Sequence, residues 1–458
     1  MYLNKYYLFT RHFVMRSARL MWRRLPLSTR GIQKIKHRLF SKFPFIFQRC
    51  KPYLDWQADN APTDNHPLNT RRYRCPETDE NCEALPSDPS RRIIVVSHDA
   101  HPHGAQFLAL GMVRSLKQDM HLKVEVVLLG NGRLRSNFFA LAPVHDLSYS
   151  DPEDAGVTRL AQSLAQRGFT RAIVNTTVSG WIVPIFRDTG IESISLIHEL
   201  PSVIRSYKLE NQVKQIASSA KAIVFPAQIV ADEFSKIVTV DSAKKIIRPQ
   251  GLYRKNQWRS QKEVARTQLR KRLDLASDSK VVLAVGYADY RKGIDLFVDC
   301  ALKILAKRSD VDFIWVGHWE PGMKNEIELK LFHNPCKNRI HFVGYNPDTA
   351  LYHAGSDVYA LTSREDPFPN VVLESFDVGV PVVAFASSGG AAHLLEEVGG
   401  IVVPLQNTEE LSAAICRLLD APELSSSMGD AAQKYVDQHL AFRPYLSDLC
   451  TMLGIDLP

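Results

Sequence analysis

From residue 91 onward the chain alternates short, continuous apolar runs with longer segments whose apolar positions recur at helical spacing. A first series of runs covers residues 93–96, 124–129, 172–175, 194–197 and 222–225. A second covers 281–285, 312–316, 340–343, 357–361, 381–384 and 401–403. These runs are too short for core helices, rich in β-branched residues and without polar alternation, which predicts parallel strands buried on both faces. The segments between them predict crossover helices; Phe107, Leu110, Val113 and Leu116 share one helical face. The pattern therefore predicts an α/β chain of two Rossmann-like, doubly wound domains, residues 91–250 and 251–435. Their ligand site is expected in the cleft between them, at the carboxyl ends of the strands. Leu411, Ile415, Leu418 and Leu419 mark a late amphipathic helix, and residues 435–453 are the candidate for a helix that returns to the first domain, making 436–458 a C-terminal crossing segment.

Before residue 91 the pattern changes. Residues 57–90 carry prolines at 62, 67, 76, 86 and 89 among Asp, Asn and Thr, and read as a linker. The net charge of +8 resides in the first segment: residues 1–54 hold 13 of the 57 Lys and Arg and no Asp or Glu, so the remainder is slightly acidic. A charge confined to one arm gives no support for a nucleic-acid partner. Residues 1–56 interleave Trp22, Leu25, Leu27, Ile32, Ile35, Leu39, Phe40, Phe43, Phe45 and Phe47 with those cations. This is the mixture expected of a segment lying on an anionic membrane surface; a disordered or partner-docked basic tail is the alternative. No apolar run approaches the ~20 residues of a membrane span, and no clean apolar region of a cleaved signal is present. The seven cysteines, at 50, 75, 82, 300, 336, 416 and 450, contain no Cys-x-x-Cys pair and suggest a reducing compartment rather than a disulfide scaffold or zinc ribbon. A cytoplasmic protein, peripheral on the inner face of the membrane, is expected. Hydrophobic residues at 45% and charged residues at 23% exclude a mostly disordered chain.

Chemistry-bearing residues cluster at predicted strand ends. The first run leads into His98, His101, His103, Gly104 and Ala105, where a glycine lets backbone approach a ligand and helix N–H groups favour an anion or a hydroxyl-rich partner. The dinucleotide fingerprint is missing, since Gly130-Asn131-Gly132 has no third glycine, which disfavours a nicotinamide enzyme. The run at 194–197 ends in His198-Glu199, able to bond a sugar hydroxyl, move a proton or simply cap a helix. The run at 281–285 ends in Gly286 and Tyr287 and reaches Arg291-Lys292-Gly293, a cation pair suited to a diphosphate, although an Arg-Lys turn is also common on solvated surfaces. The run at 357–361 leads into Glu365-Asp366-Pro367-Phe368-Pro369-Asn370-Val371 and on to Glu374, placing carboxylates on both sides of a helix start. Those carboxylates can accept bonds from sugar hydroxyls and from a ribose diol, while backbone N–H groups face phosphate.

With these landmarks in order, and with the Gly379-x-Pro381 tail after Glu374, residues 93–458 resemble the retaining glycosyltransferases of family 4 (glycosyl transferases group 1), which have the GT-B fold. The resemblance implies transfer of a sugar from a nucleotide-sugar donor to a glycan or lipid-linked acceptor, in cell-surface polysaccharide or lipopolysaccharide biosynthesis. By that likeness Lys292 and a nearby Arg bind the donor diphosphate and Glu374 the ribose. His198 then lies near the transferred sugar, together with the carboxylate eight positions before Glu374. That position is Asp366 here, with Glu365 beside it, and either fits. Many members have Arg where this chain has Tyr287, with Arg291 as the available substitute. The donor site is then Gly286, Tyr287, Phe368, Pro369, Asn370, Val371 and Glu374, and the loop His103, Gly104 and Ala105 faces the acceptor and diphosphate. Residues 131–136 and 176–181 are the expected acceptor contacts. No cofactor or metal is required, because the cation pair neutralises the leaving group. A catalytically silent module that binds glycan or nucleotide as a scaffold is the alternative from another class. A phosphorylase would need a lysine-bound pyridoxal phosphate with no counterpart here. Deleting residues 1–56 is expected to abolish sedimentation with anionic liposomes while leaving nucleotide-sugar affinity unchanged; equal liposome binding by the shortened chain would remove the membrane assignment.

Overall fold

The computed structural model describes residues 88–148, 150, 153–398 and 400–457, all within the compact unit formed by residues 82–458. The basic arm expected over 1–56 and the linker up to residue 87 lie outside the described residues. Asp88 opens the described chain by capping a short turn, Pro89–Arg91, through its side chain.

Among the described residues the first sheet holds seven strands: β1 (Arg92–Ser97), β2 (Lys123–Leu128), β3 (Val144–Asp146), β4 (Arg171–Asn175), β5 (Glu192–Leu196), β6 (Ala222–Phe225) and β7 (Lys245–Ile247). Their order is β3-β2-β1-β4-β5-β6-β7, and every pairing is parallel. The second sheet has the order β10-β9-β8-β11-β12-β13, built from β8 (Lys280–Val285), β9 (Val311–Val316), β10 (Ile340–Gly344), β11 (Val358–Leu361), β12 (Val382–Phe385) and β13 (Ile401–Val403), again all parallel. Each predicted apolar run coincides with a strand. The two strands without a predicted run, β3 and β7, form the edges of the first sheet, where a three-residue strand suffices and charged residues are tolerated.

Parallel strands need crossover helices, and those that bear on the cleft are α1 (Gly104–Gln118), α2 (Pro201–Tyr207), α3 (Ile294–Leu305), α4 (Asn370–Asp377), α5 (Pro422–His439) and α6 (Phe442–Met452). Each sheet is covered on both faces. Ile93, Val95 and Val126 pack with α1 on one side of the first sheet, while Ile94, Val96 and Val127 join a separate core on the other. In the second sheet Val282 and Phe313 pack with α3, and Val281 and Leu283 pack with α4.

The helix expected over 435–453 is two helices. Tyr435 and Val436 stay in the second domain on α5, whereas Phe442, Leu446, Leu449 and Leu453 enter the core of the first. Pro444 explains the break: it has no N–H to bond back to residue 440, so it fits only the opening turn of a new helix. At the crossing Leu252 N–H donates to the Leu440 carbonyl at 2.8 Å, and a Cβ on Gly251 would lie 2.7 Å from Phe442 Cα. The two chain crossings between the domains therefore touch. No helix among the described residues is long and apolar enough to span a membrane. Leu449 is fully buried in the first domain's core, so Leu449→Ala is expected to lower stability by about 2–5 kcal/mol in urea unfolding, although the residue comes from the opposite end of the chain.

Candidate functional site

In both sheets the strand order reverses beside the first strand of that sheet, between β1 and β4 and between β8 and β11. Loops leaving neighbouring strands at such a point diverge to opposite faces and open a crevice at the carboxyl edge. The two crevices supply one cleft of about 240 Å³, lined from the first domain by His98, His103, Ala105, Gln106, Thr176, His198, Glu199, Leu200 and Val203, and from the second by Arg291, Glu365 and Pro367.

The first-domain wall is a hydrogen-bonded network. His98 Nδ1 meets Thr176 Oγ1 at 2.9 Å and its Nε2 lies 2.9 Å from Gln106 Nε2, which also donates to Asp99 Oδ1 at 2.5 Å. The loop after β4 is strained. Thr176 has φ 73° and ψ 153°, a region that β-branched residues avoid at a cost of about 1–3 kcal/mol. Glu199, 7% exposed, braces this loop by accepting from the Thr177 N–H at 2.9 Å, the Thr177 hydroxyl at 2.6 Å and the His198 N–H at 3.1 Å. His198 Nε2 rests 3.0 Å from Asn175 Oδ1. Burial, followed by the nearby His98, pulls the His198 imidazole down to about 4, so it is neutral across the physiological range. Burial also lowers His103, with Asp99 acting in the opposite sense.

The second-domain wall depends on Gly293. Its φ is 71°, and a Cβ there would lie 2.0 Å from the Thr362 carbonyl, so only glycine lets the turn after β8 pack against the loop after β11. That packing brings Lys292 Nζ onto Asp366 Oδ2, a carboxylate also reached by Ser363 Oγ at 3.2 Å. Arg291 Nη1 donates to the Glu365 carbonyl at 2.8 Å, and the Arg291 carbonyl accepts from Arg364 N–H, also at 2.8 Å. Arg364 is held by a two-pronged ion pair with Asp295 on α3, at 2.8 and 2.6 Å. Glu365 reaches across the cleft to accept from the Ser202 hydroxyl on α2. Burial pushes its carboxyl above the ordinary range. A second cross-domain approach joins Asn370 Nδ2 to the Gly104 carbonyl at 3.5 Å, with Gln250 Nε2 donating to Asn370 Oδ1 at 2.6 Å.

Of the residues expected from sequence, His103, Ala105, His198, Arg291 and Glu365 line the cleft. Lys292 and Asp366 sit immediately behind it as a pair, and Gly104 meets Asn370 across it. Gly286 packs on the Lys292 stem, and its carbonyl accepts from Trp315 Nε1 at 3.0 Å. The neighbouring Tyr287 is 36% exposed. Phe368 turns into the second domain's core with Val371 packed against the same cluster, and Pro369 caps α4, so these three shape the loop and do not line the cleft. Glu374 lies in a separate small recess with Arg254, Asn256, Thr349 and His353; His353 Nε2 is 3.1 Å from its carboxylate, and the Tyr253 and Thr349 hydroxyls are at 3.5 Å. Residues 131–136 do not line the cleft but support its wall, with Leu134 N–H donating to the Ala100 carbonyl at 2.8 Å. From 176–181 only Thr176 reaches it; Thr177 is taken by Glu199, Ser179 bonds back to the Asn175 carbonyl, and Val178 and Trp181 pack against the core. Sequence reasoning missed Asn175, Gln106 and Ser202. A polar Asn-Thr-Thr run directly after an apolar strand was the available signal for the first of these.

Comparison with known proteins gives this geometry a context. Residues 265–435 match the family model described as glycosyl transferases group 1. An uncharacterized glycosyltransferase of Haemophilus influenzae is 28% identical over 160 residues, 34% of this chain and 44% of that protein. A lipopolysaccharide core biosynthesis mannosyltransferase of Rhizobium meliloti is 30% identical over 169 residues, 35% of this chain and 48% of its own length. These matches span less than half the length of either relative. The crystal structure of HepE from Anabaena, in complex with UDP and glucose, superposes with a TM-score of 0.68 at 19% identity over 79% of this chain and 99% of that one. WaaG, a glycosyltransferase involved in lipopolysaccharide biosynthesis, gives 0.62 at 16% identity over 79% and 99%. The fold is therefore GT-B, as expected from the sequence.

Because His198 is neutral when folded and protonates near pH 6.5 when unfolded, the unfolded chain takes up the extra proton between about pH 6.5 and 4. Stability is expected to fall as pH drops through that window, and His198→Gln to remove part of the slope in urea unfolding measured at stepwise pH.

Proposed function

We propose that this protein is a retaining glycosyltransferase that moves a sugar from a nucleotide-sugar donor to a glycan or lipid-linked acceptor in cell-surface polysaccharide or lipopolysaccharide assembly. The observation that carries the proposal is that Arg291 and Glu365, each next in the chain to a member of the Lys292-Asp366 pair, face the neutral imidazole of His198 across one cleft. The group 1 match over residues 265–435 supports the transfer chemistry, and the UDP and glucose bound by HepE support a donor of that class.

Cleaving a sugar-phosphate bond builds positive charge at the anomeric carbon and negative charge on the departing diphosphate. In this reading Lys292 and Arg291 face the diphosphate, where fixed cations in a water-poor site stabilise the developing charge without reorganising. Glu374 accepts from the ribose hydroxyls, and Glu365 and Asp366 accept from those of the sugar. The cation pair performs the neutralisation that a metal would otherwise supply. His198 bonds a sugar hydroxyl; an imidazole that titrates near 4 is too weak a base to deprotonate an alcohol at neutral pH. The leaving phosphate oxygen is the remaining base on the face of attack, which gives retention without a covalent enzyme intermediate. Membrane association through residues 1–56 would bring a lipid-linked acceptor to the cleft.

Calorimetry against UDP-, GDP-, ADP-, CMP- and dTDP-sugars is expected to show one preferred nucleotide, with binding lost in both Lys292→Ala and Glu374→Ala. The kcat/KM of Lys292→Ala should fall by at least about 10²–10³. A folded protein that binds none of the five, alone or with acceptor glycans, would leave the scaffold alternative in its place.

A further inference from the structure

We propose that Asn175 is a positioning residue that holds His198 in one tautomer, with a proton on Nε2 and Nδ1 open as a hydrogen-bond acceptor for a sugar hydroxyl in the cleft. The nature of the occupant rests on the glycosyl-transfer reading above; the tautomer does not.

Asn175 is fully buried at the carboxyl end of β4. Its Nδ2 lies 2.8 Å from the Ala105 carbonyl oxygen, which can only accept, so the amide has a single orientation. That orientation turns Oδ1 toward His198 Nε2 at 3.0 Å. An amide oxygen cannot donate, so the shared proton belongs to the imidazole. The ring is neutral and carries one proton, which leaves Nδ1 with a lone pair. The hydrogen bonds of His198 within the protein are this one and that of its backbone N–H to Glu199, so among the described residues Nδ1 is left for a ligand. Because His198 lines the cleft, the lone pair serves whatever hydroxyl enters it.

The backbone of Asn175 is fixed independently of its side chain. Ser179 Oγ donates to the Asn175 carbonyl at 2.8 Å, and the strained Thr176 that follows is tied to His98. The same amide also connects His198 to the start of α1, whose Gly104 carbonyl faces Asn370 of the second domain. Asn175 thus couples the orientation of the imidazole to the loop that the opposite domain touches.

The test uses full-length protein with ¹⁵N-labelled imidazoles, the His198 signals being identified by their loss in His198→Gln. Long-range ¹H–¹⁵N spectra are expected to show a protonated Nε2 and an unprotonated Nδ1 in the wild type, and a mixture of tautomers in Asn175→Ala. Asn175→Asp, nearly the same size, keeps an acceptor toward Nε2 but places a carboxylate there, and should raise the His198 titration above about 4. With the donor identified by calorimetry, Asn175→Ala should reduce kcat about tenfold while leaving the donor Kd within about twofold. A proton on Nδ1 in the wild type, or the same single tautomer in Asn175→Ala, overturns the proposal. The expected spectra with no turnover from any donor would support the tautomer assignment and overturn the transfer reading alone.

Discussion

Every strand of both sheets runs parallel to its neighbours, and that constraint decides where chemistry can sit. A parallel strand covered on both faces makes an unpaired polar side chain costly, and although β5 buries the small hydroxyls of Ser193 and Ser195 without partners, the larger functional groups gather in the loops at the strands' carboxyl ends. Where the strand order reverses, two such loops part and leave a crevice. Here the crevices of the two sheets share one cleft, so that His98, Thr176 and His198 confront Arg291 and Glu365. The two crossings at Gly251–Leu252 and Leu440–Ala441 lie against each other, and Gln250 beside the first donates to Asn370 Oδ1, so the place where the domains would hinge adjoins the loop that faces the cleft.

In and behind the cleft, several polar groups are occupied by neighbours before a substrate arrives. Glu199 accepts three hydrogen bonds, Asp366 holds Lys292, and Glu365 takes the Ser202 hydroxyl from the facing domain. Such satisfaction fixes the side chains at low entropic cost, which is what a site acting through position and charge requires. Thr176 shows the other side of this order. Its backbone strain is maintained because its hydroxyl holds His98 and its neighbours are tied to Glu199 and Ser179.

The strands were legible because burial on both faces writes a continuous apolar run into the sequence, as at residues 93–96 and 281–285. The edge strands β3 and β7 carried no such signal, since Val-His-Asp and Lys-Ile-Ile need only half a sheet's cover. The single helix expected over 435–453 overlooked Pro444, which no helix interior accepts and which falls at the start of α6. In the site, the cations and carboxylates could be placed at strand ends by counting, but the side of a loop that faces solvent is set by packing. Phe368 and Val371 therefore went to the core although they flank the acidic motif. Asn175 was legible only as a polar residue ending an apolar run. Its meaning depends on the Ala105 carbonyl, 70 residues earlier in the chain, and no local pattern encodes that meeting.

The Lys292-Asp366 pair also bears on how a donor would act. The two side chains are 16% and 7% exposed, so each already lacks most of its water and leans on the other. A diphosphate that approaches Lys292 does not have to strip a hydrated ammonium; it competes with a carboxylate already in place. If the donor's sugar takes up Asp366 as its phosphate takes up Lys292, the pair is exchanged for two charge-assisted contacts and neither charge is left buried alone. The ground state then gains little, since one satisfied arrangement replaces another. As the sugar-phosphate bond breaks, however, negative charge grows on the side of Lys292 and positive charge on the side of Asp366. On the proposed reading the same two residues would attract the transition state more strongly than the bound donor, and a difference of that kind is what accelerates a reaction.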